Sequence, residues 1–236
     1  MVVLKWFPNS WIQAKAKDLV IYVDPAYLTT YFANYPKRIE FSKWPDPIDG
    51  LPEILEPADL ILITHHHKDH CKKVTVDRLK GPNTVVIAPK ACIKELGHNI
   101  QQIAPGDQME FRDIKIKAVP AHNTAQGHST RKQHPTGKGV GYVITVEGKT
   151  IYHAGDTDIL PMMDTLGHID VACLPIGGKF TMDISEAVKA TKAMSPRMVV
   201  AMHRLNADPN EFKRKLAETT SIQVAPLGIG EPIRLL

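Results

Sequence analysis

Three short apolar bursts open the chain, at 2–7, 11–16 and 19–23, and the last is closed by Asp24 and Pro25. Their length and alternation predict three strands. From 26 to 55 the text is rich in Pro, Tyr and Trp without a clear period, which predicts a long excursion holding about one helical turn, of the kind that often sits over a site. The segment ADLILIT at 58–64 is almost continuously apolar, as a strand buried on both faces is, and it runs directly into His65. Further apolar runs at 84–88, 114–119, 140–146 and 150–153 predict strands, while 74–79 and 89–96 read as short helices. The last third alternates: strand 171–174, helix 183–194, strand 198–202, helix 209–219, then strands at 223–225 and 232–235. Asp183 and Asp208 are good N-caps, and Glu186 and Glu211 follow each by three residues, the spacing of a capping box.

Strands dominate early and alternate with helices later, which favours two sheets with helices outside over one parallel sheet. With 236 residues, 43% hydrophobic and 23% charged, the chain fits one domain spanning 1–236, and disordered and fibrous classes drop out. Cys71, Cys92 and Cys173 are odd in number, far apart and without a CxxC, so neither a disulfide framework nor a zinc ribbon is supported and a reducing compartment is expected. Lys5, Lys15, Lys17 and Asp18 interrupt the first apolar segments, and no stretch approaches the roughly 18 apolar residues of a membrane span. A soluble, cytoplasmic protein is the expectation. The net charge of +4 is scattered, weak support for nucleic acid, although Arg131, Lys132 and Lys138 around His134 suit a small anionic substrate.

The informative stretch is THHHKDH, 64–70. In an extended turn His65 and His67 project to the same side, and Asp69 with His70 follows as the chain curls. One short segment can then offer imidazoles to one metal and a carboxylate plus an imidazole to a second. Imidazole nitrogens with carboxylate oxygens suit zinc first, and manganese or iron as well. Two sites need later ligands, and three candidates each follow an expected strand: His122 in VPAHN, Asp156 in AGDT and His203 after MVVAM.

In their order and spacing, THHHKDH, PAHN, YHAGDT and AMH resemble the metallo-β-lactamase fold hydrolases. The phrases HPTGKGVGYVI, IYHAGDTD and LPIGGKFTMD are similar to the small metal-dependent hydrolases grouped with L-ascorbate-6-phosphate lactonase. The resemblance covers nearly the whole chain and implies an α+β fold, the four-layer αββα sandwich. It implies two divalent cations, with His65, His67 and His122 on one, Asp69, His70 and His203 on the other, and Asp156 bridging. A hydroxide between the metals would be the nucleophile, so no protein nucleophile is required, and Asp69 would orient it or pass a proton to the leaving group. Two departures stand out. Pro8, Asn9 and Ser10 replace the Gly-His-Ser often found near the first hairpin, and some relatives have a tyrosine at the position of His122, which leaves His128 and His134 as alternatives for the third imidazole.

His128 and His134 lie in a loop too polar for a core, and with Lys179 they are candidates for substrate contact. Asp24 is a candidate to receive the N–H of a ligand histidine, which such histidines usually need. The leading function is hydrolysis of a small polar ester, lactone or phosphorylated substrate. The alternatives are a phosphodiesterase or nuclease on the same two-metal site, or a non-hydrolytic redox or metal-binding protein. A homo-oligomer is compatible with the aromatic N-terminal excursion, though no interface can be read from it.

Overall fold

The computed structural model describes residues 1–26, 55–225 and 228–236. The expected excursion at 26–55 falls almost wholly outside the described residues, as do its aromatics Tyr27, Tyr31, Phe32 and Trp44. The chain forms two compact units, one made mainly of 1–102 and 227–234, the other of 103–226.

The first unit is built on a seven-stranded sheet ordered β14-β1-β2-β3-β4-β5-β6. Strands β1 (Val2–Trp6), β2 (Ile12–Ala16) and β3 (Leu19–Val23) form an antiparallel meander. From β3 onward, β4 (Ala58–Leu62), β5 (Lys80–Ala88) and β6 (Gln101–Gln102) are added in parallel. Helix α1 (Lys73–Leu79) crosses between β4 and β5, and α2 (Ile93–Leu96) follows β5. The mainly apolar text of β4 is explained by its place: it has a strand on each side, and Leu60, Ile61 and Leu62 are fully buried. On one face Phe7, Trp11, Tyr22, Ile61, Val76 and Leu79 share a core, with Phe7 and Trp11 ring centroids 4.7 Å apart. Strand β14 (Pro232–Leu235) closes the other edge beside β1.

The second unit repeats that division between antiparallel and parallel strands in a sheet ordered β13-β12-β11-β10-β9-β8-β7. Strands β7 (Gln108–Phe111), β8 (Ile114–Ala121), β9 (Gly139–Val146) and β10 (Lys149–His153) are antiparallel. Strands β11 (Val171–Pro175), β12 (Met198–Met202) and β13 (Gln223–Ala225) then run parallel to β10. Helices α3 (Ile184–Met194) and α4 (Pro209–Ala217) make the two crossovers. Both Asp caps are present: Asp183 accepts from the Glu186 N–H and Asp208 from the Asn210 N–H. The return arm of the expected box on α3 is not formed, because the Glu186 carboxylate accepts from the His128 backbone N–H instead.

Strand β7 escaped the sequence pattern because its positions are exposed or half-buried and it carries no apolar run. Strand β5 begins at Lys80 rather than 84, since the ladder with β4 resumes after an irregularity between Ala58 and Leu60. Among the described residues no helix is long and apolar enough to cross a membrane.

Candidate metal centre

In the first unit the polar cluster lies at the C-terminal ends of two adjacent parallel strands, where an α/β sheet opens its loops. Register decides who meets whom. Val23 on β3 pairs with Leu62 on β4, so Asp24 and Thr64 emerge side by side. Asp24, fully buried and with φ 48°, accepts the Thr64 N–H at 2.7 Å on Oδ1 and the Thr64 hydroxyl at 2.6 Å on Oδ2. The same Oδ2 lies 2.7 Å from His70 Nδ1. A carboxylate only accepts, so His70 Nδ1 carries a proton, and in the neutral ring Nε2 is the nitrogen with the lone pair. Thr64 gives its single proton to Asp24, so its Oγ1 accepts from His65 Nδ1 at 2.9 Å, and His65 Nε2 is also left with a lone pair.

That lone pair lies 3.1 Å from His67 Nδ1. The His65 and His70 rings are 4.1 Å apart between centroids, and His70 Nε2 stands 3.6 Å from Asp69 Oδ2. The turn that folds these side chains together is short: the His70 and Cys71 N–H groups both donate to the His67 carbonyl. One residue here had no counterpart in the sequence reading. Asn9, at φ 63°, donates from Nδ2 to Asp69 Oδ2 at 2.8 Å and fixes one face of that carboxylate. The Pro-Asn-Ser departure thus supplies a polar contact of its own, and only the meeting of two segments 60 residues apart reveals it.

In the second unit β8, β10, β11 and β12 all end at one edge of their sheet, and the loops after them carry the remaining candidates. The Asp156 side chain is 3% exposed, and its Oδ2 lies 3.3 Å from His134 Nε2 and 3.2 Å from His203 Nε2. His134 Nδ1 donates toward the Phe180 carbonyl at 3.0 Å, with Asn123 Oδ1 at 3.2 Å, which leaves Nε2 as the nitrogen that faces Asp156. His203 holds φ 42°, and the chain passes so close that a Cβ on Gly177 would fall 2.5 Å from the His203 carbonyl oxygen. Glycine is required there by the approach of backbone to backbone.

His134, a substrate-contact candidate in the sequence reading, is therefore the imidazole that the structure brings beside Asp156. His122, the favoured third imidazole, is half-buried with Nδ1 3.1 Å from the Asn123 carbonyl. Asn123 sets this arrangement: its Oδ1 accepts the Gln133 and His134 N–H groups, each at 2.9 Å, and its Nδ2 donates to the Phe180 carbonyl, Ser129 and Asp158. His128 pairs with Asp183 at 2.9 Å. Lys179 holds its ammonium 5.2 Å from the centre of the Phe180 ring. Lys132, from the basic cluster around His134, spends its charge inside the loop on the Gly127 carbonyl, Ser129 and the fully buried Asp158.

The donor chemistry fits divalent cations. Imidazole nitrogens gathered around carboxylate oxygens are the set that zinc, manganese and iron accept.

Comparison with known proteins agrees with that chemistry. The family model described as a β-lactamase superfamily domain matches residues 4–203. A UPF0173 metal-dependent hydrolase of Nanoarchaeum equitans is 38% identical over 80% of this chain and 91% of its own. A structure titled as a metal-dependent hydrolase from Parabacteroides distasonis superposes with a TM-score of 0.78 at 29% identity, covering 95% of this chain and 91% of that one. Igni18, described as a novel metallo hydrolase from Ignicoccus hospitalis, gives 0.73 at 29% identity over 98% and 97%. With the fold, the donor set and the sequence in agreement, the chain belongs to the β-lactamase superfamily domain family and, within it, to the UPF0173 metal-dependent hydrolases, enzymes of hydrolase type.

Proposed function

We propose that the protein is a dinuclear metal-dependent hydrolase acting on a small polar ester or lactone, phosphorylated substrates included. The observation that carries the reading is Asp156: one buried carboxylate oxygen lies almost equidistant from two imidazole nitrogens on different loops, as a group shared by two cations requires. His65, His67, Asp69 and His70 of the first unit, and His134, Asp156 and His203 of the second, are the residues that would hold the cations. His134 takes the place first given to His122 because its nitrogen faces Asp156. Zinc is the favoured metal, with manganese and iron suited to the same donors.

Bound there, two cations would lower the pKa of a water molecule toward about 7 and supply positive charge where an oxyanion develops. The residues of the chain do the rest. Asp24 and Thr64 hold His70 and His65 in the tautomers that leave Nε2 available. Asn123 does the same for His134. Asp69, held by Asn9 and partly exposed, is the carboxylate able to orient the attacking water and carry its proton to the leaving group.

Metal content per chain, measured by plasma mass spectrometry on wild type and Asp156→Ala, tests the reading. About two metals in wild type and loss of at least one in the variant are expected, followed by hydrolysis of lactones or model phosphodiesters. Near-zero metal that added zinc or manganese does not restore would overturn it.

A further inference from the structure

The second unit holds another group of metal-type donors, sharing no residue with the proposed centre. One donor atom each from His128, Asp183 and Glu186 lie within 4.8 Å of one another. His128 Nδ1 is 2.9 Å from Asp183 Oδ2 and 3.2 Å from Ser185 Oγ, and the Ser185 hydroxyl donates to Asp183 Oδ1 at 2.8 Å. The third member sets the group apart from an ordinary surface ion pair. Glu186 is 2% exposed, and its Oε2 has no hydrogen-bond partner among the described residues. Burial drives its carboxyl pKa upward, opposed first by the His128 N–H and reinforced by the charge of Asp158. A buried carboxylate oxygen without a partner, on a side chain already grouped with an imidazole and a second carboxylate, asks for a cation or a proton.

The surroundings favour the cation. Asp158, Asp183 and Glu186 bring three carboxylates together, while the lysine of the loop, Lys132, is already committed to Asp158 at 3.2 Å. The loop is pressed tightly onto this acidic floor, since a Cβ on Gly127 would fall 2.1 Å from Asp158 Oδ2. The 2.9 Å between His128 Nδ1 and Asp183 Oδ2 suits a hydrogen bond. It is also the edge of an octahedron with metal–ligand bonds of about 2.1 Å, so a cation entering there displaces the shared proton with little movement.

We infer that His128, Asp183 and Glu186 form a separate divalent-cation site that ties the 124–132 loop to the N-terminus of α3. An imidazole with two carboxylates and a neighbouring hydroxyl suits manganese or zinc. The cation would anchor the start of the loop whose far end carries His134. His128 then serves the loop as an anchor rather than the substrate as a contact.

Manganese titration, read from the loss of the free-ion electron paramagnetic resonance signal, tests the site in wild type, Glu186→Gln, His128→Ala and Asp156→Asn. Wild type should bind one equivalent more than Glu186→Gln and His128→Ala, or bind it at least tenfold more tightly, while Asp156→Asn retains that equivalent. Retention in Asp156→Asn separates this site from the dinuclear reading, whichever way that reading falls. In EDTA, Glu186→Gln should melt no lower than wild type, because a buried charge is gone, yet lose the part of the manganese-induced rise in Tm that this site supplies. Equal stoichiometry with affinities within threefold across wild type, Glu186→Gln and His128→Ala would overturn the inference, as would loss of all manganese binding in Asp156→Asn.

Discussion

Replacing Asp24 by Asn changes a single atom type in a fully buried position and should disable the first half of the proposed centre. Asp24 accepts three short bonds, from the Thr64 N–H at 2.7 Å, the Thr64 hydroxyl at 2.6 Å and His70 Nδ1 at 2.7 Å. An amide has one accepting oxygen, so it cannot serve both sides. With its oxygen toward His70, the NH2 faces the Thr64 N–H and two donors collide. Turned the other way, the NH2 faces His70 Nδ1 and forces that ring into the tautomer whose Nε2 carries a proton and cannot bind metal. Charge-assisted bonds contribute about 1.5–3 kcal/mol each, so losing one bond and leaving a buried donor unmatched should cost roughly 3 kcal/mol of stability. Metal affinity should fall about 10–100-fold, as it does when support behind a ligand histidine is removed. Urea unfolding in EDTA reads the first effect, and competition against a chromophoric chelator reads the second. A folded Asp24→Asn protein that binds metal within about threefold of wild type would refute the tautomer argument.

His134→Ala should lose metal from the proposed centre while His122→Ala retains it, measured by plasma mass spectrometry; the reverse result would restore His122 as the third imidazole. Tyr152→Phe should leave stability unchanged or raise it by about 1 kcal/mol, because the buried Tyr152 hydroxyl has no hydrogen-bond partner among the described residues. Tyr22→Phe should lower stability by a similar amount, because the Tyr22 hydroxyl accepts from Gln13 and donates to the Glu56 carbonyl; urea midpoints that move the same way in both variants would contradict this. The Asp170 carboxyl is drawn upward by burial, but the Thr150 N–H, His168 and Lys149 outweigh that and hold it below the usual carboxylate range. A depressed folded value means that its contribution is complete above the unfolded pKa of about 4 and lost as pH falls through the folded value. The stability difference between wild type and Asp170→Asn should therefore shrink below about pH 4, and a gap that stays constant down to pH 2 would count against the assignment.

The elements legible in the sequence were those whose burial leaves an uninterrupted mark. The strand before His65 and the strand before His203 announce themselves because apolar runs end abruptly in a polar residue, and the sheet order then explains why the candidate ligands gather at those ends. The exposed strand β7 left no such mark. The choice between His122 and His134 was not legible either, since both are single histidines in a polar loop. What separates them is a side chain, Asn123, that folds across the loop and turns His134 by bonding its backbone and its ring together. Asn9 was hidden for the same reason: its partner, Asp69, is distant in sequence and adjacent only after the meander and β4 have assembled.

Asn9, Asp24 and His203 all hold positive φ, at 63°, 48° and 42°. Glycine occupies that region freely, whereas other residues give up about 1–2 kcal/mol there, Asn and Asp less than His. At Asp24 glycine would relieve that strain but forfeit three buried hydrogen bonds of about 1.5–3 kcal/mol each, so the side chain outweighs the cost of its backbone. Lys17, Arg112, Glu147, Ser195 and Leu205 hold positive φ as well, so what sets Asn9 and Asp24 apart is the hydrogen bonding of their side chains to Asp69, or to Thr64 and His70. A homologue with glycine at 9 and 24 would keep the two turns and lose the contacts to Asp69, Thr64 and His70, a distinction that overall sequence identity cannot make.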